Sequence, residues 1–209
     1  MKKFLLLTSV LTIFAGYTFG QLTSYSFLST SGTYTEIAGG TVLGTTANDD
    51  QRFVDPAIPA GGTAYTGPGF PIGFNFTFSG TVFDRFAINN NGWISLGRSA
   101  LTPSVDMNTT SAYTPLSSTT ATTPADLISR VAGVGRDLQG QTGSELRIQT
   151  LGVSPNRECV IQWKGYRAYR TTGDNFNFQI RLIETSNEVK VIYGTMTKNA
   201  TSTTVQVGL

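Results

Sequence analysis

The chain has 209 residues, 13% of them charged, with a formal net charge of +2 and no histidine. Two of its 15 basic residues, Lys2 and Lys3, lie in a stretch typical of a removable signal, and without them 13 basic residues balance 13 acidic ones, so no basic surface for nucleic acid or anionic membrane is expected. The absence of histidine excludes Ser-His-Asp and Cys-His catalysis and histidine-bound zinc, and the single cysteine excludes an intramolecular disulfide and multi-cysteine metal sites.

Residues 1–20 are predicted to be a secretory signal peptide. The two lysines precede an apolar stretch over residues 4–15 that is too short to span a bilayer, and Thr18 and Gly20 are small residues before a cleavage at Gln21. We therefore expect a secreted or cell-surface protein with no membrane span in the mature chain. Residues 21–209 are expected to form one domain, stabilised by its core because no disulfide is available.

The first part of this domain is predicted to contain two short strands over residues 25–44 and a loop over residues 45–69. Residues 69–80, GFPIGFNFTFSG, then alternate apolar and small or polar side chains. A period of two predicts a strand with one buried face. Its phenylalanines could form one wall of a core or line an exposed ligand groove, and the core is favoured because a second strand of the same kind, FNFQIRL, occurs at residues 176–182.

The rest of the chain continues as strands joined by turns. Asn91-Gly92 predicts a hairpin turn, residues 98–125 predict a long surface connection, and Thr123-Pro124 could begin one helical turn through Leu127. Further strands are predicted at residues 128–140, 144–151, 157–166, 175–184, 188–196 and 203–209. The expected fold is an all-β, jelly-roll-like antiparallel sandwich of about ten short strands with almost no helix.

The order of these segments resembles a known kind of module. FPIGFNFTFSGTVFDRFAINNNGWISLG is followed by RVAGVGRDLQG, CVIQWKGY and NFNFQIRLIETSNEVKVIYG. This order resembles an N-terminal β-sandwich module of exported Bacteroidetes surface proteins, which often use type IX secretion, and it is similar to nidogen-like extracellular domains over residues 25–209. The resemblance implies a non-catalytic module at the front of a longer protein. No C-terminal sorting domain is present and the chain ends within a predicted strand, so we expect a fragment followed by further domains of the same polypeptide.

No catalytic residue and no cofactor are expected. Cys159 alternates with apolar neighbours, which indicates a buried position rather than a nucleophile. A glycosidase could still use two carboxylates, but the candidates on predicted strands show no paired spacing; these are Glu145, Glu158, Glu184 and Glu188.

Calcium ligands could come from two acidic or amide-rich stretches. One is Asn48-Asp49-Asp50 together with Asp55, and the other is residues 89–91, three consecutive asparagines. Asx-turn hydrogen bonds within the backbone are the favoured interpretation of both, so no bound metal is expected.

The segment KGYRAYRTTGDN is predicted to be the surface recognition loop. Tyr166 and Tyr169 could stack on sugar rings while Arg167 and Arg170 bind hydroxyl or carboxylate groups, although the tyrosines could instead cover the rim of the sandwich. The expected function is a recognition or adhesion module with a glycan or extracellular matrix ligand. The alternatives are a structural spacer, or an accessory domain of a secreted hydrolase whose catalytic part lies beyond Leu209.

Overall fold

The computed structural model describes residues 25–44, 49–58, 62, 64–107, 113–117, 129–199 and 204–209. These residues form strands, turns and extended segments, and none of them lies in a helix. No element of this part of the chain is therefore a helix that could cross a membrane. The predicted signal peptide and the predicted helical turn at residues 123–127 lie outside the described residues.

Fifteen strands are present in the described residues, and the ten that are three residues or longer match the expected number. In chain order they are β1 (Thr41–Gly44), β2 (Arg52–Phe53), β3 (Ala57–Ile58), β4 (Thr66–Gly67), β5 (Phe70–Phe78), β6 (Thr81–Asn89), β7 (Trp93–Gly97), β8 (Val105–Asp106), β9 (Arg130–Gly135), β10 (Leu138–Gln139), β11 (Glu145–Leu151), β12 (Glu158–Ala168), β13 (Asn175–Ile183), β14 (Val189–Thr197) and β15 (Gln206–Gly208).

Two antiparallel sheets pack face to face, which confirms the predicted sandwich. The first has the order β1-β11-β12-β13-β14, with β10 paired to the far end of β12. The second has the order β15-β9-β7-β6-β2-β3, with β5 paired to β6, and β4 and β8 form a separate pair. Consecutive strands are mostly neighbours, so each layer contains a meander, which is a simpler order than that of a jelly roll.

The phenylalanine-rich strand β5 forms one wall of the core, as predicted. Its residues from Ile72 to Phe78 alternate between buried and exposed, and Phe76 is completely buried. Across the core, Trp163 and Phe178 stack with their ring centroids 4.8 Å apart. Gly133 of β9 lies directly against this stack, since a Cβ atom there would come within 2.9 Å of the Phe178 ring. The aromatic faces of the two sheets therefore pack against each other.

Residues 34–38 do not form the strand expected within residues 25–44, where only β1 is present. Instead this strap, as we call it, lies on the outer face of the first sheet. The Ile37 amide donates a hydrogen bond to Gln162 Oε1 (2.9 Å), and Gln179 Nε2 donates one to the Thr35 carbonyl (2.8 Å). Both glutamines are fully buried beneath the strap. Side chains thus satisfy strap backbone groups that a strand partner would otherwise satisfy.

The β6–β7 hairpin is confirmed, although its loop has three residues rather than two. Asn89 pairs with Trp93, which leaves Asn90, Asn91 and Gly92 in the loop. Gly92 has φ of +85°, the left-handed conformation expected at the end of such a loop. All three asparagines are buried, so this hairpin lies within the molecule rather than at its surface.

Replacing Phe76 with alanine is expected to lower the free energy of unfolding by about 3–5 kcal/mol, because it leaves a cavity in the closed aromatic core. Thr77→Ala is the matched control, because Thr77 is the next residue along β5 and its side chain is exposed. Its effect should be within about 0.5 kcal/mol. Urea unfolding of both variants measures the difference, and an unchanged unfolding midpoint in Phe76→Ala would contradict the core assignment.

The ion pair between Arg157 and Glu184 makes the free energy of unfolding depend on pH in the acidic range. Hydrogen bonds from the Arg157 side chain, at 2.9 and 2.6 Å, lower the pKa of Glu184 to about 2. Because the folded-state pKa is depressed, this stabilisation is complete above the ordinary value near 4.5 and is lost as the pH falls toward 2. Glu184→Gln should therefore melt at a lower temperature than the wild type near neutral pH, and the two melting curves should converge in acid.

The control for this measurement is Glu188→Gln, since Glu188 is exposed and lies 3.4 Å from Lys190. Its melting temperature should follow that of the wild type at every pH. A constant difference between Glu184→Gln and the wild type across the whole pH range would show that the ion pair is not the cause.

Candidate ligand-binding site

The predicted recognition loop at residues 164–175 is in large part a strand, so that prediction is wrong for its first half. Strand β12 continues to Ala168 because β10 pairs with it, Leu138 opposite Ala168 and Gln139 opposite Arg167. Tyr166 is fully buried in the core and cannot stack on a sugar.

A β-bulge explains why Tyr166 lies inside. The register between β12 and β13 shifts between Trp163 and Tyr166, and Gly165 within the shift has φ of +67°. Strict alternation from Trp163 would place Gly165 inside and Tyr166 outside. The extra residue of the bulge reverses the two faces, which puts Tyr166 on the core side.

The other three predicted ligand-binding residues have different surroundings. Arg167 is half-buried, and its Nη2 donates a hydrogen bond to Gln139 Oε1 (3.1 Å). Tyr169 and Arg170 form the turn after β12, where the Arg170 guanidinium lies 4.8 Å from the centre of the Tyr169 ring. The Tyr169 amide donates a hydrogen bond to the Asp137 carbonyl (3.0 Å), so this turn is held next to residue 137.

Three carboxylates lie together beside this turn. Asp49, Asp50 and Asp137 each place a carboxylate oxygen within 4.8 Å of the others. Burial, followed by the charges of Asp50 and Asp49, raises the pKa of Asp137 to about 6. Burial and the neighbouring Asp50 also raise the pKa of Asp49, while Arg170 acts in the opposite direction. Of the described side chains, these three acids are the group that could hold a metal ion.

The structure brings some of the predicted calcium ligands together and separates others. Asp55 is exposed and is not a member of the carboxylate group, whereas Asp137 is a member that no local pattern could associate with Asp49. Asn89 Oδ1 accepts a hydrogen bond from the Asn91 amide (3.0 Å), which is the predicted Asx-type interaction. Asn91 Nδ2 also donates to Asp50 Oδ1 (3.0 Å), so the hairpin reaches the carboxylates.

A polar cavity of about 590 Å³ opens where the strap meets the first sheet. Its lining includes Tyr34, Glu36, Gln141, Lys164, Asn177 and Thr195, and Tyr34 supplies the one aromatic ring among the described residues of the lining. Two of these side chains fix its floor. Gln141 Nε2 donates hydrogen bonds to the Gly165 and Asp174 carbonyls (2.9 Å each), and Asn177 Oδ1 accepts one from the Gly165 amide (2.9 Å).

Three polar groups of the cavity come from the strap and from β12. The Tyr34 hydroxyl is buried and has no partner among the described residues. Burial and the nearby Glu36 raise its pKa to about 12, so it remains a neutral donor at physiological pH. The Glu36 carboxylate and the Lys164 ammonium are 2.6 Å apart and about half exposed. The sequence does not reveal this site, because its residues come from the strap, a loop and separate strands and carry no spacing signal.

The nucleophile and carboxylate candidates considered from the sequence are buried or ion-paired. Cys159 is buried, as predicted, and burial raises the pKa of its thiol to about 12. The four strand glutamates are all in ion pairs, Glu145 with Arg147, Glu158 with Arg181, Glu184 with Arg157 and Glu188 with Lys190. These carboxylates are therefore engaged with arginine or lysine rather than arranged as a pair facing a substrate.

Comparison with known proteins gives one match. A family model described as nidogen related matches residues 24–209, which is most of the chain. No curated protein and no solved structure matches the sequence. This match confirms the nidogen-like part of the predicted resemblance. Nidogen-related domains are a non-enzymatic, extracellular type of domain. Bacteroidetes origin and type IX secretion stay predictions.

Tyr166→Ala is expected to lower the free energy of unfolding by about 3–5 kcal/mol, because the ring is fully buried in the core. Arg170→Ala, a few residues along the same segment, removes an exposed side chain and should change it by about 0.5 kcal/mol or less. Chemical denaturation distinguishes the two. Equal stability of both variants would contradict the burial of Tyr166.

Proposed function

We propose that this chain, which belongs to the nidogen-related family, is an extracellular recognition module that binds a saccharide and catalyses no reaction. The observation that carries this proposal is the polar cavity with the buried, unpartnered hydroxyl of Tyr34. A buried hydroxyl without a partner costs about 1–3 kcal/mol, and a ligand oxygen in the cavity would remove that cost.

The chemistry of the lining favours a neutral ligand rich in hydroxyl groups. Glu36 supplies acceptor oxygens and Lys164 supplies donors, and as an ion pair they leave the cavity close to neutral. Saccharide hydroxyls donate and accept, so one sugar ring can use both groups together with the Tyr34 hydroxyl. An apolar ligand would find only one aromatic ring to contact.

Several side chains that line the cavity are already held in place by contacts within the protein. Gln141 and Asn177 fix the Gly165 backbone from two sides, and the Tyr34 ring lies against Gly194, where a Cβ atom would come within 2.8 Å of it. Side chains that are already immobilised lose less entropy on binding, which supports recognition by a small number of hydrogen bonds.

The wider role that we propose is adhesion at the front of a larger secreted surface protein. The signal-peptide pattern at residues 1–20 and the resemblance to exported Bacteroidetes modules support it. Export would then follow the type IX route, and downstream domains of the same polypeptide would complete the protein. A glycan of the host surface or of the extracellular matrix is the ligand class that fits this role.

The test is Tyr34→Phe, which removes the hydroxyl and keeps the ring on Gly194. Screening the wild type on a glycan array, followed by calorimetric titration with the best neutral oligosaccharide, gives the reference affinity. The variant should bind about tenfold more weakly, since one hydrogen bond in a buried site is worth about 1–1.5 kcal/mol.

Tyr169→Ala serves as the comparison, because it removes the half-buried ring at the alternative surface formed by Tyr169 and Arg170. It should bind the oligosaccharide as the wild type does. Loss of binding in Tyr169→Ala but not in Tyr34→Phe would move the ligand to that turn. A wild-type protein that binds no saccharide would favour a spacer domain instead.

A further inference from the structure

Buried oxygen atoms without a hydrogen-bond donor are concentrated in one region of the structure. In the described part of the chain, four buried side-chain atoms that can only accept hydrogen bonds have no partner. They are Asp49 Oδ1, Gln51 Oε1, Asn90 Oδ1 and Asp137 Oδ1. Two of them belong to the carboxylate group described above, and Gln51 follows that group directly in sequence. Buried acceptors are normally satisfied, so four unsatisfied ones in one region require an explanation.

Asn90 is independent evidence, because it is neutral and completely buried. Its amide N–H donates to the Gln51 carbonyl (3.1 Å), and its Nδ2 donates to the Leu138 carbonyl (3.4 Å). Those two partners are the direct neighbours of Asp50 and Asp137. The Asn90 side chain is thus held between the two chain segments that carry the carboxylates, with its Oδ1 unpartnered.

Nearby arginines do not neutralise the carboxylates by contact. Arg136 and Arg170 act on the acids through their charge, yet none of the five ion pairs of the described residues includes Asp49, Asp50 or Asp137. Three carboxylates and two guanidinium groups leave a local charge of about −1 when all are ionised. Asp50 accepts hydrogen bonds from Asn91 Nδ2 (3.0 Å) and from the Tyr113 hydroxyl (2.9 Å), whereas Asp49 Oδ1 and Asp137 Oδ1 have no partner among the described residues. A cation is therefore missing at those two oxygens.

We propose that Asp49, Asp50 and Asp137, with the neutral oxygens of Gln51 and Asn90, bind a calcium ion. All these ligands are oxygens, some charged and some amide, which is the ligand set that calcium prefers. Zinc would favour nitrogen or sulfur ligands, and none is present in this group. This proposal replaces the sequence-based expectation of no bound metal, and it is independent of saccharide binding in the cavity.

The experiment measures the melting temperature of the whole chain, first freed of metal with a chelator and then supplied with about 10 mM calcium chloride. With the affinity typical of extracellular calcium modules, the wild type should melt roughly 5–10 °C higher with calcium. Asp137→Asn keeps the shape of the side chain and removes one charged ligand, so the shift should be lost. Asp55→Asn is the matched control, because Asp55 belongs to the same acidic stretch but is exposed, and it should retain the full shift.

A folding defect can be recognised in the same data. Without calcium, Asp137→Asn should melt at least as high as the wild type, because the substitution removes a charge that Asp49 and Asp50 repel. This order should reverse when calcium is added. The proposal would be overturned if the wild type showed no calcium-dependent shift, or if Asp137→Asn kept the whole shift.

Discussion

The bulge at Gly165 is the constraint on which both the polar cavity and the position of the carboxylate group depend. Its extra residue, in a left-handed conformation that favours glycine, turns Tyr166 into the core and sets the register of the end of β12. On the outer face, the same glycine offers its amide to Asn177 and its carbonyl to Gln141. A local break in strand alternation thus fills the core on one side and forms the floor of a cavity on the other.

The bulge also determines what lies beyond it. Because Arg167 and Ala168 pair with β10, the turn at Tyr169 is hydrogen-bonded to the Asp137 carbonyl. Residue 137 is in this way placed next to the acidic residues that precede β2. The position of the strap depends instead on two buried glutamines, Gln162 and Gln179, which bind its backbone. Gln179 Nε2 also donates a hydrogen bond to Gln162 Oε1 (2.7 Å). Buried polar groups of this kind favour one arrangement, since any other would lose these hydrogen bonds.

The sequence predicts the fold well where side chains alternate without interruption. Phe76 on β5 and Phe178 on β13 are buried as their period of two requires. Prediction fails at Tyr166, because one bulge reverses the alternation, and at the strap, because its hydrogen bonds go to side chains far away in sequence. The candidate sites are harder still. Tyr34 of the strap and Lys164 of β12 line one cavity, and Asp137 lies close to Asp49 beside the bridge between Asp49 and Gln139, so neither group leaves a local pattern.

Local preference and tertiary structure agree at many positions of the described structure. Strand glutamates pair with arginine or lysine, and the single thiol is buried. Around Asp49 and Asp137 local preference and tertiary structure conflict, because like charges are brought together and one buried oxygen of each carboxylate has no hydrogen-bond donor. Folding alone gives no reason to keep such an arrangement, since replacing one acid with a neutral residue would relieve it. The proposed calcium ion would relieve this conflict, because its charge offsets the carboxylates and its coordination would use the oxygens that lack a donor.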